Sequence, residues 1–227
     1  MDVWPVVIGV GCTCLVALVV VAVVVSARKE RQRREALRQW AWRSGWAYAE
    51  RPATEWTSRL PGRNRRGVSL MLSGVVANFP VSVAEYTYTE TRSSSTPGSS
   101  GTSSSSTSTT TYHFVVVVVR LPRPGPAVEV VPRHGLSKLG RAMFGDKPTA
   151  IGYEPFDRAF RIGSRDPVAG RHLVGPLLAR EHVAGQVPPW SLYGADLLTC
   201  QRGRIGDPTS IPGLAAPLIR VATLLGR

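Results

Sequence analysis

The sequence predicts an α+β protein, with an N-terminal transmembrane helix followed by one domain whose mainly antiparallel sheet is packed by helices. Three observations predict it. Residues 3–25 contain no charged side chain and run straight into Arg28-Lys29-Glu30-Arg31-Gln32-Arg33-Arg34. Residues 81–90 alternate in the period of a strand, and residues 112–121 hold five consecutive valines. Near the C-terminus, Leu214, Leu218, Val221 and Leu225 recur at helical spacing, a stripe fit to cover a sheet. A partly open β-barrel capped by that last helix is the alternative architecture.

The first element is the span. Twenty-three residues at ~1.5 Å each reach about 34 Å, slightly more than the ~30 Å hydrocarbon core of a bilayer. Valine is a mediocre helix former in water, but a lone crossing segment has no water to satisfy its backbone and must be helical. Orientation follows from the flanks. The leading side has only Met1 and Asp2, whereas residues 28–43 carry seven cations against Glu30 and Glu35, which keeps the C-terminal side in the cytoplasm. The expectation is therefore a single-pass plasma-membrane protein with its N-terminus outside and its domain inside. Two other readings compete. Val25-Ser26-Ala27 resembles a signal-peptide cleavage site, but the leader is acidic and the apolar core too long for one. Gly9-Val10-Gly11 before Cys12 lacks the aliphatic residue of a lipoprotein signal, while acylation of Cys12 or Cys14 stays open.

The chain divides into the anchor at 1–27, a basic juxtamembrane helix and linker at 28–66, and the α+β domain at 67–227. The net charge is +13; the segment 28–43 supplies +5 of it, leaving +8 spread over the rest. Most cations are Arg, as a GC-rich genome produces regardless of function. Only Cys200 lies beyond the anchor, which excludes an internal disulfide and a multi-cysteine metal site there and agrees with a reducing compartment.

Along the domain, residues 35–48 read as a helix bearing Leu37, Trp40 and Tyr48, with Trp42 and Trp46 one turn apart on another face. Prolines and arginines in 51–67 read as a connector. Residues 68–77 and 81–90 form a hairpin across Asn78-Phe79-Pro80. Residues 93–111 are all Ser, Thr, Gly or Pro, a composition that cannot bury enough surface to order itself, and read as a disordered loop between paired strands. Residues 112–121 follow as a strand buried on both faces, with 127–131 as its neighbour across the proline-rich stretch 122–126. A short helix with Leu136, Leu139 and Met143 is expected in 134–146, and a strand over 156–162. Asp166-Pro167 supplies an N-cap and a first-turn proline to a helix running toward Gly185, split at Pro176. Residues 190–193 and 197–201 make a second hairpin, and Gly226 ends the last helix.

No catalytic constellation is visible. His113, His134, His172 and His182 never fall at the spacing that puts two imidazoles on one metal, and read as surface or capping residues. There is no nucleophile elbow, phosphate loop or dinucleotide fingerprint. Asp157, Asp166 and Glu181 lie in a region that also offers His172 and His182, but Asp166 is explained as a cap and Asp157 as an ion-pair partner. No metal or cofactor is expected. The basic charge comes without any recognisable nucleic-acid-binding motif.

Gly45-Trp46-Ala47-Tyr48, Gly74 with Val83-Ala84-Glu85-Tyr86, Phe156-Asp157-Arg158-Ala159-Phe160 and Trp190-Ser191-Leu192-Tyr193-Gly194 together resemble actinobacterial single-pass membrane proteins of no assigned activity. The resemblance implies the architecture and no site residues. The expected function is a non-catalytic binding or scaffolding module at the cytoplasmic membrane face. An enzyme acting on a small or membrane-associated substrate is one alternative, and a weak nucleic-acid binder a second. Its partners are the lipid bilayer, with anionic headgroups or another membrane protein beyond it. The expected membrane-surface contacts are Arg28, Lys29, Arg31, Arg33, Arg34, Arg38, Trp40 and Trp42, basic and aromatic side chains beside the span.

Overall fold

A computed structural model describes residues 4–96, 104–133 and 149–226, with the backbone alone for residues 4–17, 94–96 and 104–106. The chain is α+β. Helix α1 (Trp4–Arg43) precedes strands β1 (Ala47–Glu50), β2 (Val68–Val76), β3 (Phe79–Thr96) and β4 (Ser104–Pro132). Then come α2 (Glu154–Ala159), β5 (Phe160–Ser164), α3 (Pro167–Leu173), α4 (Pro176–Val183), β6 (Trp190–Arg202) and α5 (Ile211–Leu224). Every strand pairing is antiparallel, in the order β1-β2-β3-β4-β5 with β6 also on β4. No pairing among the described residues joins β1 to β6, so the sheet is open and the barrel alternative is not observed.

Among the described residues no helix is long and apolar enough to cross a membrane. The span expected over residues 3–25 is therefore not shown: side chains are described only from Leu18 on, and the helix turns charged at Arg28. Helix α1 stops at Arg43 because Gly45 adopts a left-handed φ of 70° and lets Trp46 N–H donate to Ala41 O at 2.8 Å. Tyr48, expected on the helix, consequently lies in β1 opposite Leu72. The folded part begins well before residue 67, since Leu37 and Ala41 of α1 are buried in the core and β1 extends the sheet.

The β2–β3 hairpin turns more tightly than the sequence suggests. Ala77 and Asn78 both take positive φ, 48° and 67°, in a two-residue turn between the paired Val76 and Phe79. Farther on, β3 pairs with β4 from Val81↔Val119 to Thr96↔Ser104, so both flanks of the Ser/Thr tract belong to a hairpin rather than a loop. The rest of that tract, 97–103, lies outside the described residues, as does the helix expected in 134–146.

Strand β4 is the spine of the sheet. Phe114 through Val119 are all buried, as expected of a strand covered on both faces. Residues 127–131 do not fold back beside it. They continue the same strand, because prolines 122, 124 and 126 favour extended φ and no residue in this stretch takes the positive φ of a reversing turn. The register shifts between Arg120 and Val128, and β5 then takes the edge that β3 has left. In the same way residues 190–202 form one strand, not a hairpin. Gly194 takes a φ of 58°, but Leu192 pairs with Val128 and Leu197 with Val119, both on β4, so the glycine marks an irregularity in the ladder.

The expected strand over 156–162 is half helix. Phe156 and Phe160 alternate as a strand would have them, yet their spacing fits i and i+4 equally, and Pro155 in the first turn selects the helix. Asp166 and Pro176 behave as expected. The Asp166 carboxylate accepts from Val168 N–H at 2.9 Å and Ala169 N–H at 3.1 Å, and the helix is broken into α3 and α4 ahead of Pro176. Asp166→Ala is expected to cost about 1 kcal/mol in a urea unfolding experiment, the usual worth of an N-cap.

Two apolar layers sandwich the sheet. One face meets α1, α2, α4 and α5 through Leu37, Phe156, Leu178, Leu218 and Val221. The other is covered by the connector, whose Glu55–Arg59 and Pro61–Arg63 form two short 3₁₀ turns that bury Trp56 and Leu60 against Tyr86, Phe114 and Val116. Gly74 faces the helix layer directly under the Trp46 ring, leaving no room for a Cβ. Gly74→Ala should therefore destabilise by about 1–3 kcal/mol through overpacking, read as a lower urea midpoint.

Candidate functional site

The basic segment of α1 is where the sequence places function, and the structure divides it. Arg33 points into the domain. Its Nη1 donates to Glu85 Oε1 at 2.6 Å and to Ile205 O at 2.8 Å, and its Nη2 donates to Glu85 Oε2 at 2.9 Å and to Glu30 Oε1 at 2.9 Å. Glu85, in the alternating strand β3, is buried at 5 % exposure and also accepts from Ile205 N–H at 2.8 Å. A two-pronged guanidinium–carboxylate pair inside a protein demands satisfied partners on both sides, and here the backbone of Ile205 completes them. The hydrogen bonds from Arg33 hold the Glu30 carboxyl down at about 2, against the opposing effect of burial, while hydrogen bonding to Glu85 raises the Arg33 pKa.

The network extends outward. Arg204 Nη1 lies 3.4 Å from Glu30 Oε2, and its Nε donates to His113 Nδ1 at 3.3 Å. Helix, sheet and the segment after β6 are thus tied at one point.

The other expected contacts separate cleanly. Arg28, Lys29 and Arg31 are exposed. Arg34 pairs with Glu30 at 2.9 Å, and Arg38 pairs with Glu50 at 2.9 Å while lying over the Tyr48 ring. Trp40 is half-buried against the core and sits 5.5 Å from Trp46, whereas Trp42 stands 83 % exposed. Sequence reading missed Arg33, Glu85 and Ile205 as a unit, since nothing local connects positions 52 and 172 residues apart.

The carboxylates and histidines of the later region make separate local contacts. Asp157 accepts from the N–H groups of Ile151 and Gly152, and Glu181 pairs with Arg220 at 2.8 Å. His172 is exposed. His182, expected at the surface, is buried at 2 % exposure between Phe156, Phe160 and Trp190, because it faces inward beside Leu178 and Ala179 on α4. Trp190 Nε1–H donates to its Nε2 at 2.9 Å. Among the described residues no three His, Cys, Asp or Glu side chains gather as a metal site. Burial pushes the Cys200 thiol up to about 12.

A cleft of about 320 Å³ opens on the connector face, at the end of the sheet near the β2–β3 turn. Ser73, Ser82, Val118 and Trp56 line it, with Arg120 and Asp196 at one end. The Ser73 and Ser82 hydroxyls are 2.9 Å apart and bond each other, and among the described residues no imidazole lines the cleft to activate either. Thr54 Oγ1 is buried at the wall without a partner among the described residues. Such a cleft can hold a small polar group by hydrogen bonds.

Comparison with known proteins adds one fold. No family model matches the chain, and no curated protein matches it. Among solved structures, it is similar to the mycobacterial trehalose monomycolate transport factor A, TtfA, with a TM-score of 0.50 and 12 % sequence identity, over 84 % of this chain and 93 % of TtfA. At that identity the two share a fold.

Proposed function

We propose that the chain is a membrane-anchored, non-catalytic binding or scaffolding module whose domain stands at the cytoplasmic face of the plasma membrane. One observation carries this reading. Helix α1 continues unbroken from Trp4 to Arg43, and Leu18, Val19, Val20, Val21, Val23, Val24 and Val25 are all 44–70 % exposed. Consecutive residues point about 100° apart around a helix, so this stretch is apolar and bare on every side, as lipid-facing helices are. A few residues later the same helix is bound to the sheet through Arg33 and Glu85. The basic residues after the apolar stretch favour the cytoplasmic side for the domain. TtfA is by its name a transport factor, and an accessory part in moving a membrane substrate is compatible with a module of this kind.

A reporter that fluoresces only in the cytoplasm, fused after Arg227, tests the topology. Bright cells, with the fusion kept in carbonate-washed membranes and released when residues 1–27 are deleted, are the expected result. A dark fusion overturns the orientation, and a full chain washed off by carbonate overturns the anchor.

A further inference from the structure

Side chains along helix α1 reach strand β3 at successive points in the opposite order, and this decides which part of the domain meets the bilayer. Toward the C-terminal end of the helix, Trp40 packs on Trp46, which lies over Gly74, the partner of Val81 at the start of β3. Farther back along the helix, Arg33 holds Glu85. Farther back still, Glu30 is bridged by Arg204 to His113, which pairs with Thr87. Each step along β3 away from its turn is a step along α1 toward its apolar half.

Two consequences follow from that direction. Trp42 is carried about 22 Å along the helix axis from Ala27, too far from the apolar stretch to lie at a membrane interface. Tyr88 and Tyr112, one residue beyond the Thr87–His113 pair, come level with the start of the charged segment instead. Their rings stack at 5.1 Å, and Arg202 lies over Tyr112 at 5.4 Å. Arg92, 72 % exposed, and Arg204 stand on the same end of the domain. From Thr87 to Thr96 the strand rises a further ~30 Å, yet its Ser and Thr side chains and open edges cannot enter hydrocarbon. On the anchored reading it therefore lies over the headgroup layer.

We propose that the β3–β4 hairpin is the membrane-docking element of this protein, with Arg92, Arg202 and Arg204 on the phosphates of anionic lipids. Charge complementarity commits it to that partner. Arg28, Lys29 and Arg31 of the helix are exposed, and with these three arginines they outnumber the carboxylates Glu30 and Glu90 that pair with Arg204 and Arg92. The docking rests on the anchored reading above and adds a fixed posture to it.

The full chain, its native cysteines replaced, is placed in nanodiscs of phosphatidylcholine alone or mixed with phosphatidylglycerol, with a fluorophore on a cysteine at position 91 or 44. The lipids carry a headgroup nitroxide. Quenching at position 91 and none at position 44 is expected, and only with the anionic lipid. Each of Arg92→Gln, Arg202→Gln and Arg204→Gln should reduce the docked population about fivefold relative to the undocked. Equal quenching in neutral discs overturns the phosphate contact, and an unquenched position 91 in a chain still held by the disc overturns the docking, leaving a protein partner for that rim. A chain that does not stay in the disc fails the anchor, which the carbonate wash detects separately.

Discussion

Arg33→Ala is expected to destabilise the domain by about 3 kcal/mol, the loss that follows when one partner of a buried ion pair is removed and the other is stranded. Glu85 would keep only the Ile205 N–H, and Ile205 O and Glu30 would each lose a charged donor. For a domain of this size the melting temperature should fall by roughly 6–12 °C. The double variant Arg33→Met with Glu85→Leu should recover only part of that loss, because it removes the stranded carboxylate but leaves the N–H and C=O of Ile205 without their partners. Thermal unfolding followed by circular dichroism reads both. If Arg33→Ala melts within a degree or two of the parent, the guanidinium is not what joins α1 to the sheet.

The second large effect is a pH dependence centred on His182. Burial pushes its pKa down to about 4, from an ordinary value of 6.5. The Trp190 N–H donates to Nε2, which places the proton of the neutral ring on Nδ1, buried without a partner among the described residues. Between pH 6.5 and 4 the unfolded chain binds this proton and the folded one does not. Stability is therefore complete above about pH 6.5 and declines as the pH falls toward 4, by about 3 kcal/mol in all from this side chain. Glu30, held at about 2, loses its contribution only below its ordinary value of 4.5 and so acts mostly in a lower window. Urea titrations at pH 7 and 4.5 separate the two. His182→Phe should be less sensitive to this pH change than the parent, and equal slopes would remove His182 as the cause.

Local chemistry was legible in the sequence wherever one short signal has one structural meaning. Asp166-Pro167, Pro176, Gly226 and the alternation of 81–90 each appear in the fold as read. Ambiguity entered where a pattern fits two periods, as with Phe156 and Phe160, whose spacing serves a helix turn as well as a strand. It entered again where glycine and proline were taken as reversals. Gly194 and the prolines at 122–126 bend β6 and β4 without turning them back, and only the pairing partner across the sheet distinguishes a bend from a hairpin. The site was legible least. Arg33 looks like every other arginine in its run until Glu85 and Ile205, distant in sequence, fold against it.

Strand β4 also sets the order in which this protein can be completed. One flank of its valine run is closed early, by the preceding β3, but the other waits for β6, about 80 residues downstream. A nascent chain that has just emitted β4 carries a hydrophobic strand with one open edge and one face still lacking α5. Open apolar edges of that kind recruit other chains. A ribosome stalled before Trp190 would leave a species prone to aggregate, so maturation depends on the last forty residues arriving promptly.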